Sequence, residues 1–260
     1  STNNAAWQRV ADAHTAHGFL CAGFDYEGHG NSEGNFKALE DIDALVDDVL
    51  LFISDIMTAW SGLKVFIRAQ SMGGLVALAV SLRKPLLFSG LALGAPAYEL
   101  PWLVSKFAPK LILEGAAHVK DSIGNLQTPF AIFQGVQDTT VNPPGARLLL
   151  EGAGSTDKSL FLYKDMGHNM SMEPDVLNWL KSHATGQSLA RTMLYVRMPS
   201  QGKKLNSLPP GSAEVDANTI LEEVEDVGEQ VKVLDELLSD KNVLQVAWGY
   251  ARMASFVFRR

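Results

Sequence analysis

Residues 64–79 read KVFIRAQSMGGLVALA, and this stretch decides the fold. Its opening run is apolar and β-prone without alternation, as in a strand covered on both faces. A serine among small residues follows, and a helical pattern begins at once with Met72, Gly73 and Gly74. A strand passing into a helix through small-x-Ser-x-Gly is the setting of a nucleophile elbow, with Ser71 at the tip of the turn. The turn is so sharp that the side chains two before and two after the serine must be small. Ala69 stands where Gly is usual, Gly73 fits, and Gly74 lets the helix approach the sheet. A serine at a helix N-terminus also has the Met72 N–H and the helix dipole beside it, a donor set for a developing oxyanion.

Outward from this stretch the same two textures alternate. Apolar runs recur at 19–24, 87–93, 129–134 and 159–163, and helical patterns at 7–17, 41–60, 72–82, 144–152 and 174–183. In 41–60, Leu45, Val49, Phe52, Ile53 and Ile56 share one stripe, with Asp47 and Asp48 off it. Strand–helix repetition predicts an α/β unit over 1–186, a mostly parallel sheet with helices on both faces and right-handed crossovers. The pattern breaks after it. Residues 187–212 read as a linker, since 199–210 is PSQGKKLNSLPP. Residues 213–260 read as a helical appendage: Ile220, Val224, Val227, Val231, Leu234 and Leu238 recur at 4-3-4-3-4 spacing. The run 243–258 is apolar around most of its circumference, which predicts a helical hairpin folding back on the core or pairing with another chain, with a helix lying on a membrane surface as the alternative.

Composition narrows the function. The 260 residues are 47% hydrophobic and 20% charged, with a net charge of −7, which argues against an extended nucleic-acid surface. The single cysteine, Cys21, has no partner for an internal disulfide. No metal or cofactor is implied: the chain has no HExxH, cysteine cluster, Walker element or Gly-x-Gly-x-x-Gly. No stretch reaches the ~20 apolar residues that span a bilayer, and the first residues lack the pattern of a signal peptide. A cytoplasmic or peripheral-membrane location is the expectation. Residue 1 is Ser rather than Met, which raises the expectation of an incomplete beginning.

A serine hydroxyl needs a base, and the base an orienting carboxylate, in the chain order Ser…Asp…His. Residues 129–144, PFAIFQGVQDTTVNPP, form an apolar run entering a glycine-containing turn, which places Asp138 just past a strand end. Alone, Asp138 would read as a turn or N-cap residue. Residues 159–174, SLFLYKDMGHNMSMEP, form another such run, followed by a loop that bears His168. Of six histidines it alone is so placed; His14, His17, His118 and His183 lie in helical or loop stretches without a partner motif. Asp165 competes with Asp138 for the acid, but three residues from His168 it more plausibly shapes the loop.

With these residues in view, GFDYEGHGNSEG at 23–34, AQSMGG at 69–74, Asp138 and the His168 loop together resemble a known family. They look like monoacylglycerol lipases and lysophospholipases, α/β-hydrolases of the serine aminopeptidase S33 type, and the wording at 25–34 is closest to the plant-type branch. The resemblance runs from about residue 5 to 185. It implies a serine ester hydrolase acting on monoacylglycerols, lysophospholipids or similar small acyl esters. It makes the Gly28-His29-Gly30 turn a support beside the site, with no catalytic role for His29.

Two departures from the family pattern carry expectations. In the family an upstream strand ends in a His-Gly-x-Gly loop whose backbone N–H completes the oxyanion hole. This sequence opens just past it, so that loop, its strand and two earlier strands are expected to be missing. The missing strand belongs mid-sheet, between the strands that lead to Asp25 and Ser71, and losing one oxyanion donor costs ~10²–10³ in turnover. Between 97 and 127 there is room for only a short cap, in which Trp102, Leu103, Phe107 and Leu111 either wall an acyl chain or cover core. The absent loop supports a second reading, a catalytically impaired or partial relative acting as a binding or interaction protein. A peptidase such as a proline iminopeptidase shares these motifs, though the wording at 25–34 weighs against it. The expected partners are a small acyl-ester substrate and, through the cap or the C-terminal helices, a membrane surface. Oligomeric state is not legible.

Overall fold

In the computed structural model, which describes residues 2–27, 32–33, 41–106, 108–169, 173–186, 192–197 and 255–259, the apolar runs are strands and the striped segments are helices. The elements run α1 Thr2–Thr15, β1 Leu20–Gly23, α2 Ile42–Ala59, β2 Lys64–Gln70, α3 Met72–Arg83 and β3 Gly90–Gly94. Then come α4 Trp102–Ser105, α5 Lys110–Ser122 with a 3₁₀ turn at Ile123–Asn125, β4 Phe130–Gly135, α6 Pro143–Gly152 and β5 Lys158–Tyr163. α7 Glu173–Thr185, β6 Thr192–Arg197 and β7 Ser255–Arg259 complete the order.

Local chemistry accounts for the boundaries. Asp41 caps α2, its carboxylate accepting the Asp43 N–H at 2.9 Å. The buried stripe of α2 is Ile42, Leu45, Val46, Val49 and Ile53, close to the expected face. α6 opens on the Pro143–Pro144 pair, where missing N–H groups cost nothing.

The described strands form one sheet in the order β1-β7-β2-β3-β4-β5-β6. β2 through β6 are parallel to one another. Side chains alternate between two buried faces. Val65, Ile67 and Ala69 of β2 join the helices α2, α3, α5 and α6, whereas Phe66 packs with Phe19, Phe133, Val176, Trp179 and Leu180 on the α7 side. Burying a side chain such as Phe66 completely is worth about 1.5–3 kcal/mol. This two-sided cover is why the strands read as unbroken apolar runs.

Three expectations change. The place between β1 and β2, expected to lack a strand, is held by β7, antiparallel to both, with Val257 opposite Cys21 and Phe66. Residues 255–259, expected within a helical appendage, are therefore a strand of the sheet. Thr192–Arg197, expected inside the linker, is the strand β6 and pairs with β5 over its whole length. The rest of the expected linker and helices, 187–191, 198–254 and 260, lies outside the described residues. Finally, the expected cap divides: Leu111, Gly115, Ala116 and Val119 of α5 are buried in the core, and Gly115 leaves room for Ile42. Leu111 thus covers core, Trp102 is 70% exposed, and Phe107 lies outside the described residues.

Candidate active site

Ser71 sits at the β2–α3 turn with φ 55° and ψ −122°, a backbone conformation that a residue bearing a Cβ rarely adopts. Such strain costs roughly 1–3 kcal/mol and must be imposed by the surroundings. Here the imposing bonds are explicit. The Ser71 N–H donates to the Gly94 carbonyl at 2.9 Å, and its own carbonyl accepts from Ala97 N at 2.9 Å and Gly74 N at 3.0 Å. The turn is thereby sewn to the end of β3. A Cβ on Gly74 would lie 2.8 Å from the Pro96 Cβ, which is the physical content of the glycine at that position. Ala69 is fully buried and Gly73 is buried beside it, so both shape the turn from beneath. Met72 is the first residue of α3, and a helix's first N–H groups have no intrahelical acceptor.

Asp138 follows β4 and is buried, its side chain wholly inaccessible. Every lone-pair direction of its carboxylate is used. Oδ1 accepts the backbone N–H groups of Thr140 at 2.8 Å and Val141 at 2.9 Å. Oδ2 accepts from Gln134 Nε2 at 3.1 Å and from His168 Nδ1 at 2.8 Å. With the carboxylate as acceptor, the imidazole carries its proton on Nδ1 and leaves Nε2 free to take another. The His168 loop comes this close because residue 135 is glycine. A Cβ there would collide with the carbonyl oxygens of Met166 and Gly167, while Gln137 N donates to Met166 O at 3.0 Å.

The structure therefore brings His168 and Asp138 into direct contact and ties them to the residue before Ser71. Gln70 Nε2 donates to the His168 carbonyl at 2.9 Å. Asp165, the competing acid, is exposed on the turn after β5. Gly28, His29 and Gly30 lie outside the described residues. Three residues that sequence reading did not single out, Gln70, Gln134 and Gly135, hold the arrangement together. Their signal is weak: two ordinary glutamines at strand ends and a turn glycine.

The other titratable groups behave differently. His183 also meets a carboxylate, Asp157 Oδ2 at 3.2 Å, but Asp157 precedes β5 and so marks the opposite end of the sheet. In parallel sheets chemistry gathers at the carboxyl ends of strands, where Ser71, Asp138 and His168 all lie. Cys21 is no rival nucleophile: burial pushes its thiol up to about 11, only partly offset by Arg68. An open hollow lined by Phe24, Phe52, Leu51 and the carboxylates of Asp25, Glu27, Glu33, Asp48 and Asp55 contains none of the three candidate residues. Among the described residues no cluster of ligands suits a metal ion, and no helix is long and apolar enough to cross a membrane.

A family model described as Serine aminopeptidase, S33 matches residues 4–117 and 108–175. Monoglyceride lipase of Mus musculus is 26% identical over 205 residues, covering 59% of this chain and 68% of the mouse protein. Monoacylglycerol lipase of Mycolicibacterium smegmatis is 24% identical over 233 residues, covering 68% of this chain and 83% of that protein. Among solved structures, the monoacylglycerol lipase of Paleococcus ferrophilus aligns with a TM-score of 0.54 at 17% identity, over 62% of this chain and 82% of its own. The likeness establishes an α/β-hydrolase fold.

Proposed function

Because the chain belongs to the serine aminopeptidase S33 family of hydrolases, we propose that it is a serine ester hydrolase with Ser71 as nucleophile, His168 as base and Asp138 as acid. The observation that carries this reading is the 2.8 Å bond from His168 Nδ1 to a fully buried Asp138 carboxylate, with the His168 carbonyl bonded to Gln70, the residue that precedes the strained Ser71 turn. The Ser71 hydroxyl attacks an acyl carbonyl while His168 Nε2 takes its proton, and Asp138 stabilises the imidazolium. The Met72 N–H, with the α3 dipole behind it, stabilises the oxyanion. Collapse of the tetrahedral adduct expels the alcohol, protonated by His168. Water activated by the same imidazole then cleaves the acyl-enzyme.

The substrate class follows from likeness. Relatives named as monoglyceride and monoacylglycerol lipases, and the plant-type wording at 25–34, support monoacylglycerols, lysophospholipids or similar small acyl esters. The exposed Trp102 of α4, with Lys106 over its ring at 3.7 Å, supports contact between the cap and a lipid surface. One observation favours the second reading, a binding protein with impaired chemistry. β7 runs antiparallel between β1 and β2, so it presents its first residue, Ser255, to the catalytic end where a parallel strand would present its outgoing loop.

Labelling with a fluorophosphonate probe decides between them. We expect covalent labelling of the full chain that is abolished in Ser71→Ala and reduced by orders of magnitude in His168→Ala. A folded wild type that stays unlabelled would sink the hydrolase reading in favour of the binding protein. Comparing monoacylglycerol turnover with aminoacyl-anilide turnover then separates esterase from peptidase.

A further inference from the structure

The bonds that hold the His168 loop point almost entirely one way. His168 Nδ1 donates to Asp138 after β4, Gln137 N to Met166 O, and Met166 N to Tyr163 O at the end of β5. All of these anchor the loop to the β4–β5 side of the sheet. Ser71 is anchored elsewhere, to Gly94 and Ala97 after β3 and to the first turn of α3. The two reacting groups are thus anchored to different strands of the sheet, and β3 lies between β2 and β4. Within the described residues, one side-chain hydrogen bond joins the loop to the serine's own strand: Gln70 Nε2 to the His168 carbonyl, at 2.9 Å. Gln70 is the last residue of β2, is only 8% exposed, and is covalently bonded to Ser71.

We propose that Gln70 is a positioning residue that sets the reach from His168 to Ser71, an assignment that rests on the hydrolase reading above. Its amide grips the histidine's backbone rather than its ring. It therefore fixes where the imidazole stands without touching the proton that Nδ1 shares with Asp138. The Asp138 contact orients the ring, and the Gln70 contact sets its distance from the nucleophile. Proton transfer from serine demands near-contact geometry, and a displacement of the order of 1 Å costs about 10²-fold in rate. A carbonyl acceptor at this place also selects the residue type. Glutamate, of the same shape, would set an acceptor against an acceptor, whereas histidine would still offer an N–H.

The test uses the full chain with Gln70→Met, which keeps the volume, and Gln70→His, which keeps a donor. The readouts are the fluorophosphonate labelling rate at saturation, the half-saturating probe concentration, and the downfield proton resonance of the His168–Asp138 bond. Thermal unfolding controls for folding. Gln70→Met is expected to lower the saturated rate about 10- to 100-fold, with half-saturation within about twofold and the downfield resonance retained. Gln70→His is expected to recover most of the loss. A Gln70→Met protein that labels at the wild-type rate, while Ser71→Ala stays silent, would overturn the assignment and leave the hydrolase reading intact. Loss of the resonance together with a lowered melting temperature in both variants would also overturn it, by showing a merely structural role. A wild type that shows the resonance yet never labels would overturn the hydrolase reading, and this assignment with it.

Discussion

From β2 to β5 the sheet is laid down in chain order, each strand followed by a crossover that brings back its parallel neighbour. Between β1 and β2 it is closed by β7, which arrives from residue 255 and runs the other way. The two regions answer different physical demands. In the parallel block every register follows from a nearby crossover, and all three candidate catalytic residues leave the carboxyl ends of its strands. At the other edge, β1 and β2 stand parallel to each other with one place between them. What that place requires is backbone pairing on both sides, which an antiparallel strand supplies as well as a parallel one. The block is specified by sequence-local pattern and the edge by hydrogen-bonding demand.

If this division is right, the largest effects belong to the block and leave the edge untouched. Asp138→Asn is expected to lower turnover by ~10⁴, because an amide in place of the carboxylate favours the wrong imidazole tautomer. Its fold should be retained, since Thr140 N and Val141 N can still donate to the amide oxygen. Ester hydrolysis and thermal unfolding measured side by side check both halves. Next comes Gly135→Ala. The added methyl group meets the Met166 and Gly167 carbonyls, so β4 and the His168 loop must part. A cost of roughly 2–4 kcal/mol in denaturant unfolding is expected, with labelling lost even where the protein is folded.

The edge is probed by Val257→Pro, which deletes one ladder N–H from β7 in the interior of the sheet and is expected to lower stability. Hydrogen exchange should show β1 losing protection while β3, β4 and β5 keep theirs. Uniform loss across all strands would break the comparison, since it would mean that β7 and the block unfold as one unit.

The same division explains what could be read in advance. Strands β2 through β5 are legible because burial on both faces writes unbroken apolar runs, and the candidate residues Ser71, Asp138 and His168 are legible as positions because each follows the end of such a run. β7 is not. The run 243–258 is apolar around most of its circumference, so it carries no clear period of 3.6 or of 2, and only the place between β1 and β2 decides for strand at 255–259. β6, TMLYVR, is β-prone enough, but it abuts the Pro-, Gly- and Lys-rich segment, whose composition masks it. Gln70 and Gln134 were invisible for another reason. A glutamine acquires its meaning from a partner, and the partner of Gln70 lies 98 residues away in the chain.

The smallest effect lies near the β1 edge and tests whether its charges are arranged as carefully as those of the block. Asp138 is satisfied at every oxygen, and Asp47 of α2 is answered by Arg83. Asp48, one residue on, has no ion-pair partner among the described residues. Burial, then Glu27 and Asp47, pushes its carboxyl above the ordinary 3.8. A carboxyl whose folded value is raised costs stability once ionised, so the cost is present at pH 7 and vanishes as pH falls below that ordinary value. Asp48→Asn should therefore raise the melting temperature slightly at pH 7, and the gain should disappear by about pH 3.5. Because Asp48 is half-buried and keeps part of its surface in water the gain will be small, a degree or two at most by the order of magnitude of surface charge effects. A gain that persists unchanged at acid pH would show that the substitution acts through helix packing. The acidic hollow would then be no less balanced than the parallel block.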